Sequence, residues 1–134
     1  MNPLHLLLPA VLALGPTPAE VLHAWDARRA QAWAAGDVAD LRGLYTPRSA
    51  AGRADAAMLR AWQARGLRVE GLRMQLLAVR VRARTPTRLE LDVTDRLADG
   101  VVAPGPEALP RDRPSRHLVT LRRVAGEWRV ASVR

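Results

Sequence analysis

Leu72-Arg73-Met74-Gln75-Leu76-Leu77-Ala78-Val79-Arg80-Val81-Arg82-Ala83-Arg84 is the stretch that decides the fold. Its apolar residues occupy even positions as far as Leu76, with Arg73 and Gln75 between them. From Leu77 the phase reverses, and Leu77, Val79, Val81 and Ala83 alternate with Arg80, Arg82 and Arg84. Strand side chains alternate with period two, so an uncorrected slip of one residue would turn the apolar set toward water. A β-bulge at Leu76-Leu77 keeps both halves on one core and bends the strand. The stretch therefore predicts a curved sheet with a covered inner face.

The next segment supplies its partner. Thr85-Pro86-Thr87 is a turn, and Arg88 to Leu97 alternates again, with Leu89, Leu91, Val93 and Leu97 apolar. Antiparallel pairing about Pro86 sets Arg82 across from Glu90 and Arg80 across from Asp92 on the outer face. The same register pairs Ala83 with Leu89, Val81 with Leu91 and Val79 with Val93 inside. Residues 98–115 hold Gly100, Gly105 and four prolines, and read as a long loop. Two more strands follow, about Arg116 to Val124 and Glu127 to Val133, joined by Ala125-Gly126, with Trp128 and Val130 pointing in.

Upstream the period is helical. Thr17-Pro18-Ala19-Glu20 is a capping box with Pro at the first helical position. Val21, Leu22, Trp25, Ala32 and Trp33 form an apolar stripe, with Asp26, Arg28, Arg29 and Gln31 mostly off it, and Gly36 stops the helix. Asp37 caps a short second helix carrying Val38, Leu41, Leu44 and Tyr45, which Pro47 ends. Arg48 to Arg53 reads as a loop. A third helix spans about Ala54 to Arg65, with Met58, Leu59, Ala61 and Trp62 inside. Three helices and then four antiparallel strands make an α+β domain, its helices packed on one face of a strongly curved sheet.

Residues 3–14 are apolar but too short for a transmembrane helix, which takes about 20 residues. Their length fits the apolar part of a signal peptide, and Thr17-Pro18-Ala19 is a passable cleavage context, although a positive n-region is missing. The expected organisation is a leader or membrane-associated segment over 1–17 and one domain over 18–134. The expected location is exported or membrane-associated, the alternative cytoplasmic.

Composition narrows the chemistry. The chain has 134 residues, 49% of them hydrophobic and 25% charged, which is enough for a core of its own. It has no cysteine, so disulfides and thiolate metal sites are excluded. Its 21 basic residues are all arginine and the net charge is +8. Arg80, Arg82 and Arg84 stripe the outer sheet face, but Glu90 and Asp92 are expected to neutralise them, and no aromatic residues interleave. Nucleic acid is accordingly disfavoured as a partner. Three scattered histidines and the lack of a Gly-rich phosphate loop argue against a metal or cofactor.

This layout resembles the nuclear transport factor 2-like superfamily, also called the cystatin-like cone fold. The resemblance rests on Ala32-Trp33-Ala34-Ala35-Gly36-Asp37, Leu41, Leu44-Tyr45 and Gly126-Glu127-Trp128-Arg129-Val130. It implies a conical cavity between bent sheet and helices. Members include isomerases, dehydratases, cyclases, transport adaptors and non-catalytic domains, so the fold leaves the function open. The isomerase pattern has a catalytic Tyr in the first helix, and this first helix has none.

Two residues break the apolar inner-face pattern. Asp95 lies between Val93 and Leu97 by parity, opposite the bulge at Leu77, and His117 shares parity with Val119 and Leu121. If their strands pair, the two side chains meet at one end of the inner face as a proton-transfer unit. The bland alternative has Asp95 capping its strand or pairing with Arg96, Arg116 or Arg123. Tyr45, Trp62 and Trp25 are the aromatic candidates for lining a ligand cavity, although core filling is the default for such rings. The leading functional expectation is a non-catalytic domain that binds a small apolar ligand or a protein partner. The alternatives are a small enzyme using Asp95 and His117 for acid–base chemistry, and a scaffold that forms a homodimer through its outer sheet face.

Overall fold

The computed structural model describes residues 15–134. Helix α1 (Pro18–Ala35) begins at the expected capping box: Thr17 Oγ1 accepts from the Glu20 amide, and the Glu20 carboxylate accepts from the Thr17 amide. It ends at Gly36, whose φ of +66° is the left-handed turn that glycine takes without strain. Helix α2 (Val38–Gly43) is capped by Asp37. Helix α3 (Ala50–Ala64) starts four residues earlier than the sequence reading has it, because Ser49 accepts a hydrogen bond from the Gly52 amide and caps the turn. Its inward stripe is Gly52, Asp55, Ala56 and Leu59, while Met58 and Ala61, expected inside, are exposed.

The sheet runs β1 (Arg68–Thr85), β2 (Arg88–Ala103), β4 (Ser115–Val124) and β5 (Glu127–Val133) in that spatial order. A two-residue strand, β3 (Glu107–Ala108), pairs with the far end of β2. The segment expected to be a loop from residue 98 is thus partly strand, with β2 continuing to Ala103 and pairing with Arg68. The sheet is curled but not closed, and the helices lie on its concave side. Leu41, Leu59, Leu91, Val93, Leu121 and Val130 are fully buried between the layers. Leu44 and Thr46 dock on β5 through main-chain bonds to Val130, so α2 is tied to the last strand.

The bulge occurs where the phase slip puts it. Leu76 pairs with Asp95 and Ala78 with Thr94, leaving Leu77 as the extra residue. The register also holds for Val79 with Val93, Arg80 with Asp92 and Val81 with Leu91. A second irregularity then inserts Arg82, so Ala83 faces Glu90 and Arg84 faces Leu89, not the partners expected. A further bulge surrounds Gly71, at a φ of +64°. These interruptions bend β1, and its distal half extends past the helices. Leu77, Val81 and Ala83, read as inward, are exposed there. The expected outer-face ion pairs also differ. Asp92 is gripped by Arg116 of β4, on the side away from β1, and Glu90 by Arg88 of its own strand.

Candidate functional site

A hollow of about 360 Å³ opens between α1, α3 and the inner sheet face. Its walls are mostly apolar, with Leu22, Trp25, Val119 and Val130 among them. Met58 and Val133 line it too and are exposed, which marks its mouth. The polar groups facing it are Asp26 and Arg29 from α1, Tyr45 after α2, Asp55 from α3, Asp95 from β2 and His117 from β4.

Antiparallel pairing of β2 and β4 sets Val93 opposite His117 and Asp95 opposite Ser115. Asp95 and His117 are therefore diagonal neighbours on one face. Their side chains meet, with His117 Nε2 3.1 Å from Asp95 Oδ1. The same nitrogen lies 3.0 Å from Ser115 Oγ. A protonated Nε2 donates to Asp95, whereas a bare Nε2 accepts from the Ser115 hydroxyl. The ring thus has a partner in either state. Burial raises the Asp95 pKa, and His117 offsets part of that rise. No arginine holds Asp95 among the described residues.

Asp26 stands on the facing helix. Among the described residues it has no hydrogen-bond partner and no ion pair, and its carboxylate faces the hollow. Burial pushes its pKa up to about 7, Arg29 pulls it down, and the charge on Asp95 adds to the rise. A carboxyl that titrates near neutrality is one that can give or take a proton under ordinary conditions.

Arg29 is already committed. Its Nε and Nη2 donate to Asp55 Oδ2 and Oδ1 at 2.7 and 2.8 Å, a bidentate pair. Asp55 also accepts from Trp33 Nε1 at 3.1 Å and from the Tyr45 hydroxyl at 2.7 Å. Burial would raise the Asp55 pKa, but the bonds from Arg29, Tyr45 and Trp33 hold it below the usual carboxylate range. Burial likewise pushes the Tyr45 phenol up, beyond what Arg29 takes back. The quartet pins α1, α2 and α3 together along one side of the hollow. It leaves Asp26, Asp95 and His117 as the polar groups free to meet a bound molecule. Among the described residues no three His, Asp or Glu side chains converge as metal ligands.

No family model matches the chain. No curated protein matches it either. Solved structures do. An uncharacterised protein with a cystatin-like fold from Caulobacter vibrioides superposes with a TM-score of 0.50 at 16% identity, over 86% of this chain and 85% of that one. A protein of unknown function with a cystatin-like fold from Nostoc punctiforme gives 0.52 at 13% identity, over 90% and 92%. A designed nuclear transport factor 2-type protein gives 0.51 at 13% identity, over 88% and 98%. The chain has the nuclear transport factor 2-like, cystatin-like cone fold.

Within this cone the sequence-derived candidates separate. Asp95, His117, Trp25 and Tyr45 line the same hollow. The polar atoms of the two rings are occupied, Trp25 Nε1 by the Leu44 carbonyl at 2.7 Å and the Tyr45 hydroxyl by Asp55. Trp62 does not line it. It stacks edge-on against Trp33 and faces a neighbouring hollow. Asp26, Arg29 and Asp55 were not singled out by the sequence reading. Their signal is a charge inside an apolar stripe: Leu22, Asp26, Arg29 and Trp33 recur at helical spacing, as do Gly52, Asp55, Ala56 and Leu59. The apolar leader expected over 1–17 falls mainly on residues 1–14, outside those described. Among the described residues no helix is long and apolar enough to cross a membrane.

Proposed function

We propose that this chain is a small-molecule-binding domain. A largely apolar ligand occupies the cone, and its one polar group meets Asp95 and His117. The observation that carries this reading is the 3.1 Å Asp95–His117 pair facing an apolar hollow of about 360 Å³. Ligand pockets begin at about 300 Å³ and combine apolar walls with a few convergent polar groups. Burying carboxylates costs stability that an apolar replacement would recover, so Asp26 and Asp95, the two aspartates of the hollow not taken up by the Arg29 quartet, make sense as binding groups. Isothermal titration of the purified chain with a panel of small apolar alcohols, ketones and amines tests it. Saturable binding that weakens in Asp95→Asn supports the reading, and no binding by any member removes it.

A second reading is favoured by Asp26, whose pKa of about 7 places a titrating group in the same hollow as an imidazole. In that reading the cone performs proton transfer on its ligand, with Asp95 as base and His117 as its partner. Deuterium uptake at the carbon next to the carbonyl of cyclic ketone probes, followed by NMR, is the measurement. Uptake no faster than in buffer sinks catalysis and leaves binding intact. For location, the apolar run over 3–14 supports export or membrane association. N-terminal sequencing of the mature protein reads it directly, and Met1 on a soluble cytoplasmic form overturns it.

A further inference from the structure

We infer that the ligand is elongated: its polar group lies at Asp95 and His117, and its apolar tail passes between Met58 and Met74 into a second hollow under Trp62 and Leu109. This inference rests on the binding reading above and adds the shape of the molecule bound. The second hollow measures about 340 Å³ and is walled by Trp33, Trp62, Val69, Leu72, Leu97 and Leu109. It is continuous in its walls with the first, because Arg29, Met58 and Met74 line both. These three residues form the partition. Arg29 is fixed by its two bonds to Asp55 and cannot swing across. The other two are methionines, unbranched thioether chains that repack around whatever lies between them.

Met58 is the most telling of the three. It sits on α3 directly before Leu59, which is fully buried, yet it is 55% exposed on the rim of both hollows. The far end of the second hollow is roofed by the segment after β3. The Leu109 amide donates to the Gly100 carbonyl at 2.8 Å and the Asp112 amide to the Leu97 carbonyl at 3.1 Å. A Cβ at Gly100 would meet Leu109 Cδ1 at 2.8 Å, so the Leu109 side chain packs directly over that glycine. The two ends differ in polarity: Asp26, Asp95 and His117 line the first hollow and not the second, whose own charged lining residue is Asp112, exposed on the roof segment. A molecule with one polar head and one apolar tail matches that arrangement.

The test is a chain-length series of 1-alkanols, from butanol to dodecanol, titrated into the full chain below their solubility limits. Binding is followed by calorimetry and by 19F NMR of 5-fluorotryptophan-labelled protein. Each methylene buried is expected to tighten binding about fourfold. In the wild type the gain continues past the length that fills the first hollow, and only the longer members shift the Trp62 resonance. In Leu109→Asp the gain stops at the shorter length, while butanol and hexanol bind as before. Leu109→Ala, a milder change in the same roof, reports the same lengths if the Asp variant fails to fold. A wild-type plateau at short chains, or equal length dependence in wild type and both variants, overturns the elongated ligand and leaves the binding reading standing. No binding by any alkanol overturns both.

Discussion

Asp26 on α1 and Asp95 on β2 face one cavity from opposite walls, close enough that the charge of Asp95 raises the Asp26 pKa. One carboxyl therefore reads the state of the other across the space where a ligand would sit. Burial is the larger cause of the rise and Asp95 the smaller. The 13C-detected titration of Asp26 is expected to have its midpoint near 7. In Asp95→Asn the midpoint moves down but stays above the ordinary carboxylate range. A midpoint in that ordinary range in the wild type would remove Asp26 from the site.

The same shift makes stability depend on pH with a definite sign. The folded pKa lies above the unfolded one, so between them the native state holds more protons and stability falls as pH rises. The contribution is complete below the ordinary aspartate value of 3.8 and lost by the time pH passes about 7. Asp26→Asn does not ionise. It is expected to match the wild type near pH 4 and to be more stable at pH 8, by on the order of 3 kcal/mol. Denaturant melts of both proteins across that range check it. Parallel curves would refute the shift.

Asp55 behaves in the opposite way. Removing it leaves the Arg29 guanidinium without its counter-charge and the Trp33 and Tyr45 donors without an acceptor. Breaking one side of a buried pair costs about 3–5 kcal/mol. Asp55→Ala is expected to lose that much in thermal or urea melts, and Arg29→Met added to it is expected to recover part of the loss. Because its folded pKa is depressed, the stability Asp55 gives is present above the ordinary carboxylate pKa. It goes only as pH falls through the lowered value.

Gly52 holds the Tyr45 ring in place by what it lacks. A Cβ there would come within 2.7 Å of Tyr45 Cβ and 2.8 Å of its ring. Gly52→Ala is expected to cost about 1–3 kcal/mol from overpacking, even though alanine is the better helix former. It also displaces the Tyr45 hydroxyl from Asp55, so a near-ultraviolet circular dichroism change accompanies the lower melting temperature. An unchanged or higher melting temperature would show that α3 can move away at no cost.

Much of the fold was legible because strand parity is strict. The bulge at Leu77 and the pairs Val79–Val93, Arg80–Asp92 and Val81–Leu91 follow from alternation about one turn. Asp95 and His117 stood out for the same reason, as polar residues at inward positions of neighbouring strands. The rest of the site was hidden because helical stripes tolerate more. Asp26 and Arg29 sit one helical step from Leu22 and Trp33, and a charge at a stripe's edge usually turns to solvent. Only the approach of α3 gives Arg29 its partner, Asp55, 26 residues on. Arg82 slipped the register because its insertion leaves no trace in the alternation, and β1 outruns the helices there. The start of α3 is hidden because Ala50, Ala51 and Gly52, the small residues after its cap Ser49, carry no apolar period.

The binding account is tested most directly by a 1H–15N NMR titration of the full chain with 1-hexanol. It follows the Trp25 indole N–H and the His117 ring, in wild type and in Asp95→Asn. The account predicts saturable shifts at both groups in the wild type and at least tenfold weaker binding in the variant. The absence of saturable shifts, or equal affinity in the two proteins with Trp25 still responding, would contradict it.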